Sequence, residues 1–146
     1  MTLNRTMTYV FRLTLFMLLV TGMGQMPLYK RYYISDIPGL GWLADFYATH
    51  AVHYIFAVIF TLWAFYAGTL YLVKYKGEIK NKITAAIRSA LVTGVLITGF
   101  LLVMNNFPGY RFSKGFIIFM DIAHLAFTMV FLIFAVTLYV VKRKEV

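Results

Sequence analysis

The chain has 146 residues, of which 62% are hydrophobic and 13% charged, with a formal net charge of +9 and no cysteine. The charged share is about half that of ordinary soluble domains, which points to a membrane protein. Without cysteine the chain holds no cysteine-ligated iron–sulfur cluster, no disulfide and no thiol chemistry.

A membrane span needs roughly 20 predominantly apolar residues. Four segments qualify: 7–24, 43–73, 83–104 and 116–141. They predict an all-α membrane protein, a four-transmembrane-helix up-down bundle forming one integral membrane domain over 1–146. Short connections leave no room for a soluble catalytic domain.

The first segment resembles a signal peptide, with Arg5 and Arg12 before an apolar run and Gly22 and Gly24 after it. Gln25-Met26-Pro27 follow with no small-x-small cleavage site, so the segment is read as a retained helix. Arg12 is expected to snorkel to the inner interface. The next loop carries Lys30-Arg31-Tyr32-Tyr33, an aromatic and basic interface belt. Asp36-Ile37-Pro38-Gly39 then predicts a turn. Trp42 is expected to anchor the second helix, which is too long to cross perpendicularly and must tilt or begin in the interface. Loop 74–81 is short and polar. The third helix carries Thr93, Gly94, Thr98 and Gly99, small residues that let helices approach closely. Asn105-Asn106-Phe107-Pro108-Gly109 stops it, and Arg111 and Lys114 lead into the fourth helix. No internal repeat is evident.

Of the 14 basic residues, ten fall toward one side of the membrane: Arg5, Arg12, Lys74, Lys76, Lys80, Lys82, Arg88, Lys142, Arg143 and Lys144. Lys30, Arg31, Arg111 and Lys114 fall on the other. This bias places both termini and the loop between Lys74 and Arg88 in the cytoplasm. The charge therefore reads as topology and lipid contact, with no nucleic-acid partner.

Three histidines, His50, His53 and His124, lie within the apolar runs. Ionisable residues inside a membrane are functional candidates. Two imidazoles on different helices are also what a b-type haem takes as axial ligands. His53 lies about 21 residues before Lys74 and His124 about 18 before Lys142. At 1.5 Å per residue these are roughly 31 and 27 Å from the inner boundary, with His50 one turn further out at roughly 36 Å. Depth thus pairs His53 with His124 in the outer half. Each could instead bond a backbone carbonyl or a neighbouring hydroxyl. The i, i+3 spacing of His50 and His53 also admits a metal site with His124. His50 could contact a haem propionate or a quinone oxygen, or be an interfacial histidine. Asp121 shares a face with His124 and could take a quinol proton, orient an imidazole, or sit near a helix N-terminus for the dipole. Arg111, Lys114, Lys30 and Arg31 are natural propionate counter-ions and equally natural interface anchors.

These residues resemble the four-helix cytochrome b subunits of formate dehydrogenase (the gamma subunit), nickel–iron hydrogenase and thiosulfate reductase. The family pattern in the first helix is Arg-x-x-His-Trp, an apolar run, then Thr-Gly. Here it reads Arg5-Thr6-Met7-Thr8-Tyr9 and then Thr21-Gly22. His53-Tyr54-Ile55-Phe56-Ala57 is similar to the family's His with Gly or Ala four places on. Asp121-Ile122-Ala123-His124 matches its first ligand in the fourth helix. Tyr9 replaces the family's Trp, and two ligand positions depart. Thr8 stands where the family has a first-helix histidine, and the late fourth-helix ligand falls at Thr137 or Leu138. In the family those two hold the cytoplasmic haem. The resemblance thus implies one haem lost and one outer haem b kept, on His53 and His124.

The implied function is a haem-containing membrane anchor, an electron-transfer subunit of a respiratory oxidoreductase complex without substrate chemistry of its own. It would pass electrons between an outer-side iron–sulfur or multihaem cytochrome c subunit and the quinone pool. A quinone site near the outer haem would draw on His50, Tyr54, Asp121 and Arg111. The alternative is a haem-free structural anchor. A transporter would need polar residues along the whole crossing, whereas here they cluster on the outer side. Succinate dehydrogenase anchors are usually three-helix chains without this Thr-Gly pattern.

Overall fold

The computed structural model describes residues 5–26, 29, 32–75 and 82–144. Among them every regular element is helical. Four long helices carry the chain: α1 (Arg5–Gly24), α2 (Phe46–Leu70), α3 (Lys82–Met104) and α4 (Lys114–Lys144). A π-helical turn, Tyr71–Tyr75, extends α2. Four helical stretches are long and apolar enough to cross a membrane, so the chain has the make-up of a multi-pass membrane protein. In hydrocarbon a helix suits such a sequence because it satisfies its backbone hydrogen bonds internally. Large apolar side chains such as Leu62, Phe65, Phe119 and Ile133 are exposed along these helices.

The second helix begins later than the apolar run suggests. Asp45 caps α2, its carboxylate accepting the backbone N–H of Tyr47 at 2.9 Å and of Ala48 at 3.2 Å. The preceding Gly41–Ala44 is a separate 3₁₀ turn, with Trp42 exposed in it. Leu43 of that turn is buried beside Gly24, where an added Cβ would lie 3.0 Å from the Leu43 carbonyl oxygen. The expected interfacial first turns of the helix are thus a short element folded against the end of α1.

The chain divides into two compact units, Met1–Lys74 and Tyr75–Val146. Each is a helical hairpin: α1 packs on α2 in the first, and α3 on α4 in the second. In the first hairpin the Phe11 ring stacks on Trp63 at 4.0 Å and on Phe60 at 6.5 Å. At the other end Thr21 meets His53, so the helices run antiparallel. In the second, Gly94 faces the Phe127 ring and Thr98 meets His124, again antiparallel.

Both hairpins turn through the same local chemistry. In Ile37-Pro38-Gly39-Leu40 the Leu40 N–H donates to the Ile37 carbonyl at 3.0 Å and Gly39 has φ 86°. In Phe107-Pro108-Gly109-Tyr110 the Tyr110 N–H donates to Phe107 at 3.2 Å and Gly109 has φ 93°. Proline fixes the first central residue of a type II turn and glycine supplies the positive φ of the second. The first turn sits one residue later than predicted. The Tyr29 hydroxyl donates to the Leu40 carbonyl at 3.0 Å and ties that loop down. In the second loop Asn105 Oδ1 accepts the Phe112 N–H at 3.2 Å, and Ser113 Oγ accepts the Phe116 N–H at 3.3 Å. Lys30 and Arg31 of the basic belt, and loop residues 76–81, lie outside the described residues.

Candidate functional site

A threonine in an apolar helix commonly donates its hydroxyl proton to the carbonyl one turn back. Thr14, Thr49, Thr61, Thr128 and Thr137 do so at 2.7–2.9 Å. Thr21 and Thr98 do this too, and something more. Thr21 Oγ1 donates to the Met17 carbonyl at 2.6 Å, and Thr98 Oγ1 to the Gly94 carbonyl at 2.7 Å. Each oxygen also faces an imidazole: His53 Nδ1 at 2.9 Å and His124 Nδ1 at 3.0 Å.

Proton accounting then sets the tautomers. A hydroxyl has one proton, a carbonyl can only accept, and so each threonine oxygen is left as an acceptor. His53 and His124 therefore donate from Nδ1–H, which puts the ring's lone pair on Nε2. That is the form in which an imidazole ligates a metal through Nε2 while its other nitrogen is held by a hydrogen bond. Thr21 is 0% and Thr98 5% exposed, so water does not compete for these bonds.

The residue after each threonine is glycine. A Cβ on Gly22 would meet His53 Cε1 at 3.5 Å, and one on Gly99 would meet His124 Cε1 at 3.1 Å. Thr-Gly thus grips Nδ1 and leaves room beside Cε1 in both hairpins.

The two hairpins thus repeat one local arrangement, a threonine of the first helix set against a histidine of the second. With His53 set against His124, Phe56 matches Phe127, Phe60 matches Phe131 and Ala64 matches Ala135. These positions are spaced three and four apart, one face of a helix. The repeated face is the one that carries the histidine. The two Pro-Gly turns and the two capped second helices belong to the same pattern.

His50 is placed differently. Its Nδ1 lies 3.0 Å from Gln25 Oε1 and its Nε2 lies 2.6 Å from the Tyr54 hydroxyl. Phe46 stacks on its ring at 4.9 Å, and Gln25 Nε2 reaches the Thr21 carbonyl at 3.4 Å. Both ring nitrogens are therefore engaged, Nε2 by Tyr54 of the same helix. Asp121 stands at the repeat position of His50, one turn before His124, and is exposed. Arg111 and Lys114 are exposed just before and at the start of α4. Thr137 donates to the Ile133 carbonyl at 2.8 Å, and neither it nor Leu138 offers a nitrogen. Within neither hairpin do three or more His, Asp and Glu side chains gather as a metal site among the described residues.

The partners that sequence reading passed over are Gln25 and, above all, Thr98. A signal was present: Thr-Gly occurs at Thr21-Gly22, Thr93-Gly94 and Thr98-Gly99, each on a helix before a histidine-bearing one, and the first and last of these meet the histidines. No protein-family model, curated protein or solved structure matches this chain.

Proposed function

We propose that this chain is a haem b-containing membrane anchor that carries electrons between a redox partner subunit on the outer side and the membrane quinone pool. One observation carries the reading. Each hairpin offers one imidazole, on His53 and on His124, held by a buried threonine as the Nδ1–H tautomer. Two such imidazoles fit the axial positions of one haem iron. His50, with both nitrogens engaged within its own hairpin, fits a neighbouring role better than a ligand role. When bound, the haem supplies one-electron redox chemistry, and the protein sets ligation, burial and position.

Arg111 and Lys114 are exposed cations at the end of the second hairpin nearer His124, suited to propionates. His50 with Tyr54, and Asp121 at the equivalent position, are the groups offered to a quinone and its protons. The positive-inside bias supports cytoplasmic termini in a prokaryotic inner membrane. The outer partner is an iron–sulfur or multihaem cytochrome c subunit.

The test is a pyridine haemochrome spectrum of the purified chain, repeated on His53→Ala, His124→Ala and His50→Ala. The expected result is a b-type signal in the native protein, lost in the first two variants and kept in the third. No b-type signal in the native protein leaves the haem-free anchor as the reading. Haem kept in His53→Ala but lost in His50→Ala overturns the ligand assignment.

A further inference from the structure

We infer that Thr21-Gly22 and Thr98-Gly99 are matched imidazole seats. Each threonine locks its histidine as the Nδ1–H tautomer, and so positions and tunes the nitrogen that would face a metal. The part that concerns iron rests on the haem reading above; the tautomer lock does not.

The argument starts from what an unheld imidazole does. A neutral histidine exchanges between two tautomers, and only one presents a lone pair at Nε2. Thr21 and Thr98 bias the choice because their own protons are committed to carbonyls at 2.6 and 2.7 Å; at His124 the Val95 carbonyl beside Thr98 accepts from the ring as well. An oxygen that is already donating is a better acceptor, since linked hydrogen bonds polarise one another. The bond to Nδ1–H in turn raises the basicity of Nε2. A more basic ligand favours ferric over ferrous iron, so the seats lower the reduction potential of a bound haem.

The glycines set the ring's place. At Gly22 an added methyl would make ordinary contact with His53 at 3.5 Å, whereas at Gly99 it would press on His124 at 3.1 Å. The same device built twice, with the same neighbours on the helix face, argues for a role in the imidazole's state and not for helix packing alone. Five other threonines bond their helix carbonyls, the ordinary habit of a threonine in an apolar helix.

The test uses the full chain with ¹⁵N-labelled histidine, prepared without haem and after haem loading. Without haem, Thr21→Val and Thr98→Val are expected each to lower the Nδ1–H to Nε2–H ratio of one histidine by roughly fivefold, the worth of one hydrogen bond. Thr21→Ser and Thr98→Ser restore it. With haem, the valine variants raise the midpoint potential and alter the low-spin EPR signal, and the serine variants reverse both. Unchanged tautomer ratios in the valine variants overturn the seats, even in a protein that holds haem. A chain that takes up no haem, yet whose tautomers respond, keeps the seats and ends the haem reading. Should the valine variants fail to fold, Gly99→Ala is expected to shift the His124 signals while Gly22→Ala leaves those of His53 in place. Equal responses at the two glycines overturn the proposal.

Discussion

The two hairpins share a seat and differ in what surrounds it. In the first, the turn beyond the seated imidazole is closed by side chains: Gln25 and Tyr54 engage His50, and Phe46 stacks on it. In the second, the equivalent position is Asp121, exposed. One turn before each threonine the contrast reverses. The first hairpin has Met17 there; the second has Gly94, packed so closely that a methyl would meet the Phe127 ring at 2.7 Å. The lesson is that the repeated face keeps what holds the imidazole, while its flanks have diverged toward different tasks. The first hairpin is finished within itself above its histidine. The second leaves a carboxylate facing outward.

The largest effect expected from breaking this contrast is at Gly94. Gly94→Ala forces the Phe127 ring aside and should cost about 1–3 kcal/mol, the range for overpacking. Thermal unfolding of the chain in detergent reads it, and a melting point equal to the native one would show that the ring yields freely. A smaller effect is expected at the caps. Asp45→Ala removes the acceptor for two backbone N–H groups and should cost about 1 kcal/mol. Ser113→Ala removes one longer bond and should cost less. Equal losses by denaturant titration would mean that the caps do not differ as their geometry does. The smallest effect on stability is expected at Asp121. Asp121→Asn should stay within about 0.5 kcal/mol, because the side chain is exposed and its pull on the His124 ring is its one charge interaction there. Under the proposed function it should nonetheless slow quinol turnover of the assembled complex, and unchanged turnover would remove Asp121 from the quinone site.

Much of the fold is legible in the amino-acid order, because hydrocarbon thickness demands long apolar helices. The third helix was expected at 83–104 and is Lys82–Met104. The ends of α1 and α4 run past their apolar stretches to Arg5, Lys114 and Lys144, since backbone hydrogen bonding does not stop where hydropathy does. The start of α2 was misplaced because its apolar run continues through Leu43 and Ala44, and hydropathy outweighed the capping signal of Asp45. The histidines stood out in the sequence; their threonine partners did not. A lipid-facing helix is apolar all round, so no polar face marks which side packs inward. The repeat escaped for the same reason, since its identities fall on one face among similar apolar residues.

The division at Lys74 and Tyr75 bears on how the protein is made. Thr21 and His53 lie 32 residues apart, and Thr98 and His124 lie 26 apart, so each seat closes through modest sequence separation. Chain units generally fold in the order of their synthesis, N-terminal first. The first hairpin has all the partners of its seat once residue 74 has left the ribosome, before α3 has emerged. The two imidazoles are thus seated one after the other as the chain is made.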